Sequence, residues 1–300
     1  VFDERITNKI GVNHHDLGFL YTPSAVAGYK ITGWEKARDT ALKAADHLLG
    51  RFKEKGEFIQ AWGDLDDPNA YRLIIDCNMN VPLLFWATEV TGDPKYREVA
   101  TKHINTAASV VVREDSSTHH TFFFDPETGK PTKGVTAQGA SDESAWARGQ
   151  AWGVYGFPLA YSYLKDEKFV TLFKRVTNYF LNKLPADSIC YWDLMFDDNS
   201  GEERDTSAAA IAVCGMLEML KHLPDSDPDK RIYQNAVNII MKSLIEKYTT
   251  KDIEESNGLL TQAVYSKPHR SGVDECCIWG DYFYMEALVR ILKPEWKMYW

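Results

Sequence analysis

The most constraining feature of the sequence is an alternation between two kinds of helical pattern. Four segments combine a turn with apolar residues at i, i+3, i+4 and i+7, which predicts a helix with one buried and one solvated face. Five other segments carry few charges and are rich in Ala, Gly, Trp, Phe and Leu, which predicts helices buried nearly all round. The four turn segments align on Lys36, Lys95, Lys168 and Lys230. The five apolar segments are residues 17–29, 77–90, 144–164, 206–220 and 275–292.

Helical hairpins that repeat at this spacing can close into a ring. Repeats of roughly sixty residues, each with a buried and a half-exposed helix, place the buried helices inside the ring and the others around it. The pattern predicts an all-α fold, the (α/α)6 barrel or six-hairpin toroid. Because only five buried helices are found, we expect the first hairpin to lie upstream of Val1. No linker interrupts the chain, so residues 1–300 are expected to form a single domain.

Charge and cysteine content exclude several classes of protein. The net charge is -9 and basic residues are not clustered, which argues against nucleic-acid binding. No stretch approaches eighteen consecutive apolar residues, so a membrane partner is not expected. The number of cysteines, five, is odd and no pair has C-x-x-C spacing. We therefore expect reduced thiols, a cytoplasmic location, and neither a metal nor another cofactor.

Five aspartates stand near the starts of the predicted inner helices. In a ring of hairpins these starts meet at one face, so their carboxylates are expected around one mouth. For any single aspartate, capping of the helix that follows is the alternative role. A general acid needs a raised pKa, which burial and a second carboxylate provide. Asp76 follows three apolar residues and is the best candidate by environment. The five are Asp16, Asp76, Asp142, Asp205 and Asp274.

Two further clusters carry groups suited to a polar ligand. His119 and His120 precede an aromatic run, where either a substrate contact or an ordinary loop is possible. A Gly-rich loop at residues 134–145 leads into a predicted inner helix that contains Arg148 and Trp152. The planar guanidinium of arginine matches a carboxylate, and an indole can stack under a sugar ring. These residues predict a carbohydrate site.

Several stretches of the chain resemble those of the unsaturated glucuronyl hydrolases, glycoside hydrolase family 88. They are HHDLGFLYTPSAVA (14–27), QAWGD (60–64), RLIIDCNMNVPLLFWA (72–87), GVTAQGASDESAWARGQAWGVYG (134–156), DTSAAAIA (205–212) and VYSKPHRSGVDECCIWGDYFYMEAL (264–288). The resemblance implies an (α/α)6 barrel that hydrates the C4=C5 vinyl ether of a terminal unsaturated uronic acid. Its substrate would be a lyase-generated oligosaccharide of the glycosaminoglycan type.

The resemblance also implies roles for individual residues. Asp76 would be the general acid and base, and Asp16 the second essential carboxylate. Substrate contacts carry over to Trp62, His120, Gly134, Thr136, Gln138, Arg148 and Trp152.

The locally basic loop 265–272 suggests a leaving-group subsite. Its contact with a sulfate or carboxylate would come from Ser266, Lys267 and Arg270, with His269 beside them, although a solvated loop is the alternative.

Two other functions remain open at this point. One is a different hydrolase on the same barrel, either an unsaturated rhamnogalacturonyl hydrolase or an ordinary glycosidase. The other is a toroid that binds sugars without catalysis. It would bind its ligand tightly without turnover and would tolerate replacement of both Asp16 and Asp76.

Overall fold

The computed structural model describes residues 1–300, and its helices form an inner and an outer layer. The inner layer begins with a helical run made of α2 (Leu17–Tyr21), a π turn (Thr22–Val26) and α3 (Ala27–Thr32). It continues with α5 (Pro82–Thr91), α7 (Ala147–Leu164), α9 (Thr206–Leu220) and α11 (Ile278–Leu292). The long outer helices are α4 (Glu35–Leu49), α6 (Pro94–Val110), α8 (Lys168–Asn182) and α10 (Lys230–Lys247). A short helix, α1 (Phe2–Thr7), packs on α4.

The inner helices follow one another side by side in chain order. α2 packs on α5, α7 on α9, and α9 on α11, while each of the first four inner segments also packs on the outer helix that follows it. Gly215 shows how close this packing is, because a Cβ there would lie 2.5 Å from the carbonyl oxygen of Val154 on α7. The predicted alternation of inner and outer helices is confirmed. The further hairpin upstream of Val1 stays a prediction.

Strands occur only as three small antiparallel sheets in the connections between helices. β1 (Phe52–Lys53) pairs with β2 (Phe58–Ile59), and β6 (Ala263–Ser266) pairs with β7 (Ser271–Glu275). The third sheet has the order β3 (Arg72–Ile74), β4 (Thr121–Phe124) and β5 (Pro131–Val135). β3 leads directly into a 3-10 turn, Ile75–Met79, whose first N–H donates to the carbonyl of His120 at 2.9 Å. The sheet thereby fixes the position of Asp76.

The expectation that all five aspartates stand at inner-helix starts is wrong for Asp142 and Asp274. Asp16 directly precedes α2, whereas Asp76 lies in the 3-10 turn that leads toward α5. Asp205 does cap α9, accepting from Ser207 N–H at 3.1 Å. Asp142 instead accepts from Thr136 N–H at 2.8 Å in the loop before α7, which begins five residues later. Asp274 lies in β7, and Cys277 takes the N-cap position of α11. A structured loop and a hairpin therefore separate these two acids from the helices.

None of the helices combines the length and the apolar composition that crossing a bilayer requires.

Candidate active site

A cavity of about 880 Å³ lies among the N-terminal ends of the inner helices. Its size suits a ligand of one or two sugar rings, since small-molecule sites usually enclose 300–1,000 Å³. Both predicted catalytic carboxylates, Asp16 and Asp76, line it. Aromatic side chains supply much of the wall: Phe19, Trp62, Trp146, Trp152, Tyr265, Trp279, Tyr282, Phe283 and Trp300. The cavity is therefore an aromatic bowl with a small number of polar groups.

Asp76 has the environment of a carboxyl group that is partly protonated near neutral pH. The 3-10 turn encloses it, and its Oδ1 is buried without a hydrogen-bond partner, while the rest of the side chain keeps partial exposure toward the cavity. Burial raises the pKa of Asp76 to about 7, and repulsion from Asp16 adds to the effect. The nearby Arg148 opposes both by attraction. Asp76 can thus be either proton donor or proton acceptor at physiological pH.

Asp16 sits at the entrance to α2 and is more open than Asp76. Its side chain is 45% exposed, and its Oδ1 lies 3.2 Å from Nε2 of His15. The backbone N–H of Asp16 donates to Nδ1 of His14 at 3.1 Å. Asn80 also donates to Oδ1 of Asp16, at 3.4 Å. Asp16 is consequently held by neighbours on two elements while it faces the cavity.

His120 is a neutral hydrogen-bond donor. Its Nδ1 accepts from Ala137 N–H at 2.9 Å, so the proton of the neutral ring resides on Nε2. Burial lowers the pKa of His120 to about 3, and the positive charge of Arg148 contributes. The ring lies 4.6 Å from the ring of Trp146 on the cavity wall. His120 can therefore donate to a sugar oxygen without carrying charge.

Arg148 uses its donors within the protein. Its guanidinium donates to Asp205 at 2.9 Å, to the carbonyl of Val264 at 2.6 Å and to that of Tyr265 at 2.6 Å. It also stacks on Trp146, 4.5 Å from the ring centre, and only 2% of the side chain is exposed. Arg148 thus joins α7 to α9 and to the β6–β7 hairpin. Its direct contact with a substrate carboxylate stays a prediction.

The two tryptophans expected to stack on sugars differ in exposure. Trp62 is 38% exposed at the rim, with the guanidinium of Arg72 4.5 Å from its ring centre. Trp152 is 1% exposed, and its ring packs against Phe19 and Phe283 at 5.0 and 5.5 Å. Trp62 can therefore offer a face to a sugar, whereas the faces of Trp152 are largely occupied by other side chains.

The structure brings most of the other predicted contacts to the wall, but not all. Gln138 lines the cavity and donates to the carbonyl of Tyr265 at 2.7 Å. Gly134 and Thr136 are absent from the wall. Gly134 lets β5 pass close to His119, since a Cβ would lie 2.2 Å from the imidazole, and Thr136 accepts from Gly139 N–H at 2.8 Å. Through these contacts, Gly134 and Thr136 support β5 and the loop that follows it, and their contact with substrate stays a prediction.

The predicted leaving-group subsite needs a correction. Ser266 lines the cavity, but Lys267 and Arg270 do not. Lys267 forms ion pairs with Glu202 and Glu203, so its charge already has partners within the protein. His269 and Ser271 occupy the wall instead, and His269 Nδ1 lies 2.7 Å from the hydroxyl of Ser266.

Ser271 and Trp300 are wall residues that the sequence reasoning missed. Ser271 pairs with Ser266 across the β6–β7 hairpin and therefore shares its face, so only recognition of this hairpin in the sequence could have indicated Ser271. Trp300 lies on Phe283 with ring centres 6.0 Å apart, and its Nε1–H donates to Glu286 at 2.9 Å. No sequence pattern indicated Trp300, because its place depends on how the last residues cross the bowl.

A model of glycosyl hydrolase family 88 matches residues 2–291. The chain belongs to this family. It is 58% identical over 299 residues to an unsaturated chondroitin disaccharide hydrolase of Streptococcus agalactiae, a match that covers 100% of this chain and 75% of the relative. The resemblance drawn from the sequence is thus confirmed, and the protein is a glycoside hydrolase.

Solved structures of relatives have the same fold as this chain. The crystal structure of the unsaturated glucuronyl hydrolase from S. agalactiae superposes with a TM-score of 0.97 at 57% identity, covering 100% of this chain and 75% of that one. An Asp-to-Asn mutant of that enzyme, solved in complex with dGlcA-GalNAc6S, gives 0.87 at 53% identity, covering 100% and 74%. The α/α-barrel fold class is confirmed.

Proposed function

We propose that the protein removes the terminal Δ4,5-unsaturated uronic acid from lyase-generated oligosaccharides, with glycosaminoglycan-type disaccharides as its substrates. The main support for this proposal is the carboxyl group of Asp76. Burial raises its pKa to about 7, and it lies with Asp16 on the wall of an aromatic cavity. A half-protonated acid that opens onto a sugar-sized cavity is what hydration of a vinyl ether at neutral pH requires.

The reaction begins with the transfer of a proton from the protein to one carbon of the double bond. Asp76 gives its proton to C4, and the π electrons form the new C4–H bond, which leaves positive charge at C5 shared with the ring oxygen. Water attacks C5 while the Asp76 carboxylate takes one of its protons, so the acid is regenerated. The resulting hemiketal opens by cleavage of the bond between C5 and the ring oxygen. The hemiacetal left at C1 then releases the remaining sugar as an alcohol.

The other polar groups of the bowl assist without forming bonds to carbon. Asp16 hydrogen-bonds ring hydroxyls, and its charge keeps Asp76 partly protonated. His120 donates from Nε2 to a substrate oxygen, as its Nδ1 is engaged by Ala137. Trp62 covers one sugar face at the rim. Acid, base and water suffice for the whole sequence, and no cofactor takes part.

The leaving sugar is expected to lie against the β6–β7 hairpin. Ser266, His269 and Ser271 offer two hydroxyls and an imidazole there, whereas the nearby Lys267 is paired with glutamates. These hydroxyl and imidazole groups suit the hydroxyl, acetamido or sulfate groups of an amino sugar. The relative solved with dGlcA-GalNAc6S supports a ligand of this class.

The decisive experiment compares substrates that differ only in the double bond. The protein is incubated with an unsaturated chondroitin disaccharide and, separately, with the saturated disaccharide and an unsaturated rhamnogalacturonan disaccharide. Loss of the ultraviolet absorbance of the conjugated double bond should occur fastest with the first. Faster release of sugar from the saturated compound would favour an ordinary glycosidase. Tight binding of all three without turnover would favour a sugar-binding toroid.

We infer further that residues 1–300 act as one domain in the cytoplasm. One cluster of 66 buried residues extends from Ile6 to Trp300, which supports a single core. All five cysteines are free, and Cys77, Cys190 and Cys214 are buried. Unpaired thiols in this number are typical of a reducing compartment.

A further inference from the structure

Asn80 lies at the junction between the two elements that carry the acids. Only 1% of it is exposed, and its Oδ1 accepts from the backbone N–H of Phe19 on α2 at 2.9 Å. Its Nδ2 donates to Oδ1 of Asp16 at 3.4 Å and to the backbone carbonyl of Asp76 at 3.3 Å. One side-chain amide therefore contacts α2, the Asp16 carboxylate and the Asp76 turn. Asn80 itself is absent from the cavity wall.

The backbone at this junction leaves no space for adjustment. Gly18 lies directly over Asn80, where an added Cβ would come 2.2 Å from the Asn80 Cα and 2.4 Å from its carbonyl oxygen. The two contacts from Nδ2 are longer than the usual 2.9–3.0 Å, so the amide serves as a spacer more than as a source of strong bonds. Close backbone packing and a shared amide together define the separation of the two acid-bearing elements.

We propose that Asn80 is a positioning residue that sets the distance between Asp16 and Asp76, an inference that rests on the proposed function of these two acids. In the proposed reaction Asp76 donates a proton to the substrate and takes one from water. The negative charge of Asp16 makes Asp76 hold its proton more tightly. A change in the position of Asp16 therefore changes how strongly Asp76 holds its proton. Asn80 touches neither substrate nor reacting atoms in this scheme, so it acts only through the pair.

The charges around the pair decide the direction of the effect. Asp76 is faced by Asp16 from the α2 side and by Arg148 from α7, with the thiol of Cys77 next to it on its own turn. Asp16 is itself faced by His14 and His15, and it attracts the guanidinium of Arg51 on the outer side. Without the amide, the half-exposed Asp16 carboxylate can rotate toward solvent. Its repulsion of Asp76 then weakens, and Asp76 gives up its proton at lower pH.

The test measures the titration of Asp76 directly, so that it stands apart from turnover. The protonated carboxyl band of Asp76 is followed by difference infrared spectroscopy against pH, and Asp76→Asn identifies the band. In Asn80→Ala the midpoint should fall by about one pH unit, and the high-pH limb of kcat should move by the same amount. KM for the unsaturated disaccharide should rise only modestly, because Asn80 itself does not line the cavity and acts on the substrate only through the displaced Asp16.

A second variant and a matched control keep the test decisive if Asn80→Ala folds poorly. Asn80→Ser keeps a small polar side chain, but its hydroxyl stands one bond short of both amide atoms and cannot hold Asp16, so it should lower the midpoint in the same direction. Asn78→Ala removes a buried amide of the same turn that makes no hydrogen bond to either acid, and its midpoint should match that of the original protein.

The spectroscopic result also separates two kinds of failure. If the original protein turned over no unsaturated disaccharide, the proposed function would fall, but the infrared midpoints would still report on Asn80. An unchanged midpoint in both Asn80 variants would overturn the positioning role. So would an equal shift in Asn78→Ala, because the effect would then come from loosening of the turn in general.

Discussion

The proton on Asp76 links the chemistry of the site to the stability of the fold. Its apolar neighbours Leu73 and Ile74 were readable from the sequence, so burial and a raised pKa could be predicted. The partners of Arg148 could not, because Asp205 and Val264 lie 57 and 116 residues further along the chain. Local sequence reveals a residue's immediate surroundings, but its long-range partners depend on how the helices are arranged.

Asp76→Asn should stabilise the protein increasingly as the pH rises. The pKa of Asp76 is about 7 in the folded protein against 3.8 for the free group, so the folded state holds the proton more tightly. Its stabilising contribution is complete below about pH 4 and is lost as the pH rises to about 7. The cavity wets one side of the carboxyl group, so we expect about 2–3 kcal/mol at pH 8 rather than the full value for three pKa units.

Urea unfolding at about pH 4 and pH 8 provides the measurement for this linkage. Asp252→Asn, at an exposed position, serves as control and should unfold like the original protein at both pH values. Equal unfolding free energies for Asp76→Asn and the original protein at pH 8 would mean that Asp76 carries no raised pKa.

His120→Ala should lower kcat/KM about 10-fold to 100-fold, which corresponds to the loss of one buried hydrogen bond to substrate. The shape of the pH profile above about pH 5 should remain, because the pKa of His120 is lowered to about 3 and the ring is already neutral there. Steady-state assays of both proteins across that range provide the comparison. Disappearance of a limb near neutral pH would show that His120, and not Asp76, supplies the titrating group.

The secondary-structure elements were predictable where their periodicity is local. The outer helices follow the spacing of apolar residues, and α9 begins at Thr206, directly after its N-cap Asp205, as expected. The β6–β7 hairpin and the loop before α7 were harder, because side-chain contacts from distant helices fix them. Arg148 and Gln138 both donate to the Tyr265 carbonyl, which attaches the hairpin to α7 and its preceding loop. The leaving-group side of the bowl thus depends on an ion pair between Arg148 on the cavity wall and Asp205 behind it.

Asp205→Asn should cost about 3–5 kcal/mol of unfolding free energy, since it removes one partner of a buried ion pair and leaves Arg148 with an uncompensated charge. Urea unfolding at neutral pH measures the loss. Glu127→Gln breaks an exposed pair with Lys55 and should cost less than about 1 kcal/mol. A loss for Asp205→Asn as small as that of the control would mean that the backbone carbonyls alone satisfy Arg148.

At the scale of the whole molecule, the repeat in the sequence predicted the ring but not how its bowl is completed. Inner helices placed side by side bring residues from distant hairpins to one mouth, which explains why Asp16, Asp76 and Ser266 share a cavity. Trp300 illustrates the limit. It joins the end of the chain to α2 through Phe19 and to α11 through Glu286, and no periodic pattern encodes such contacts.

Trp300→Ala should destabilise the protein by about 3–5 kcal/mol, as expected when a large buried aromatic side chain is removed. It also removes the hydrogen bond from Nε1 to Glu286, and the enlarged bowl should raise KM for the disaccharide. Thermal unfolding and steady-state kinetics test the two effects. Trp300→Phe retains most of the packing and should lose less stability. A change below about 1 kcal/mol in Trp300→Ala would show that the last residues contribute little to the wall.

The central claim is that the carboxyl group of Asp76 protonates the double bond of the substrate. Its most direct test is the single-turnover rate of ultraviolet bleaching for the original protein and Asp76→Asn, from about pH 5 to about pH 9. We predict a rate that declines as the pH rises through about 7 in the original protein, and a loss of about a thousandfold or more in Asp76→Asn at every pH. Near-normal bleaching by Asp76→Asn, with the same decline at high pH, would contradict the assignment.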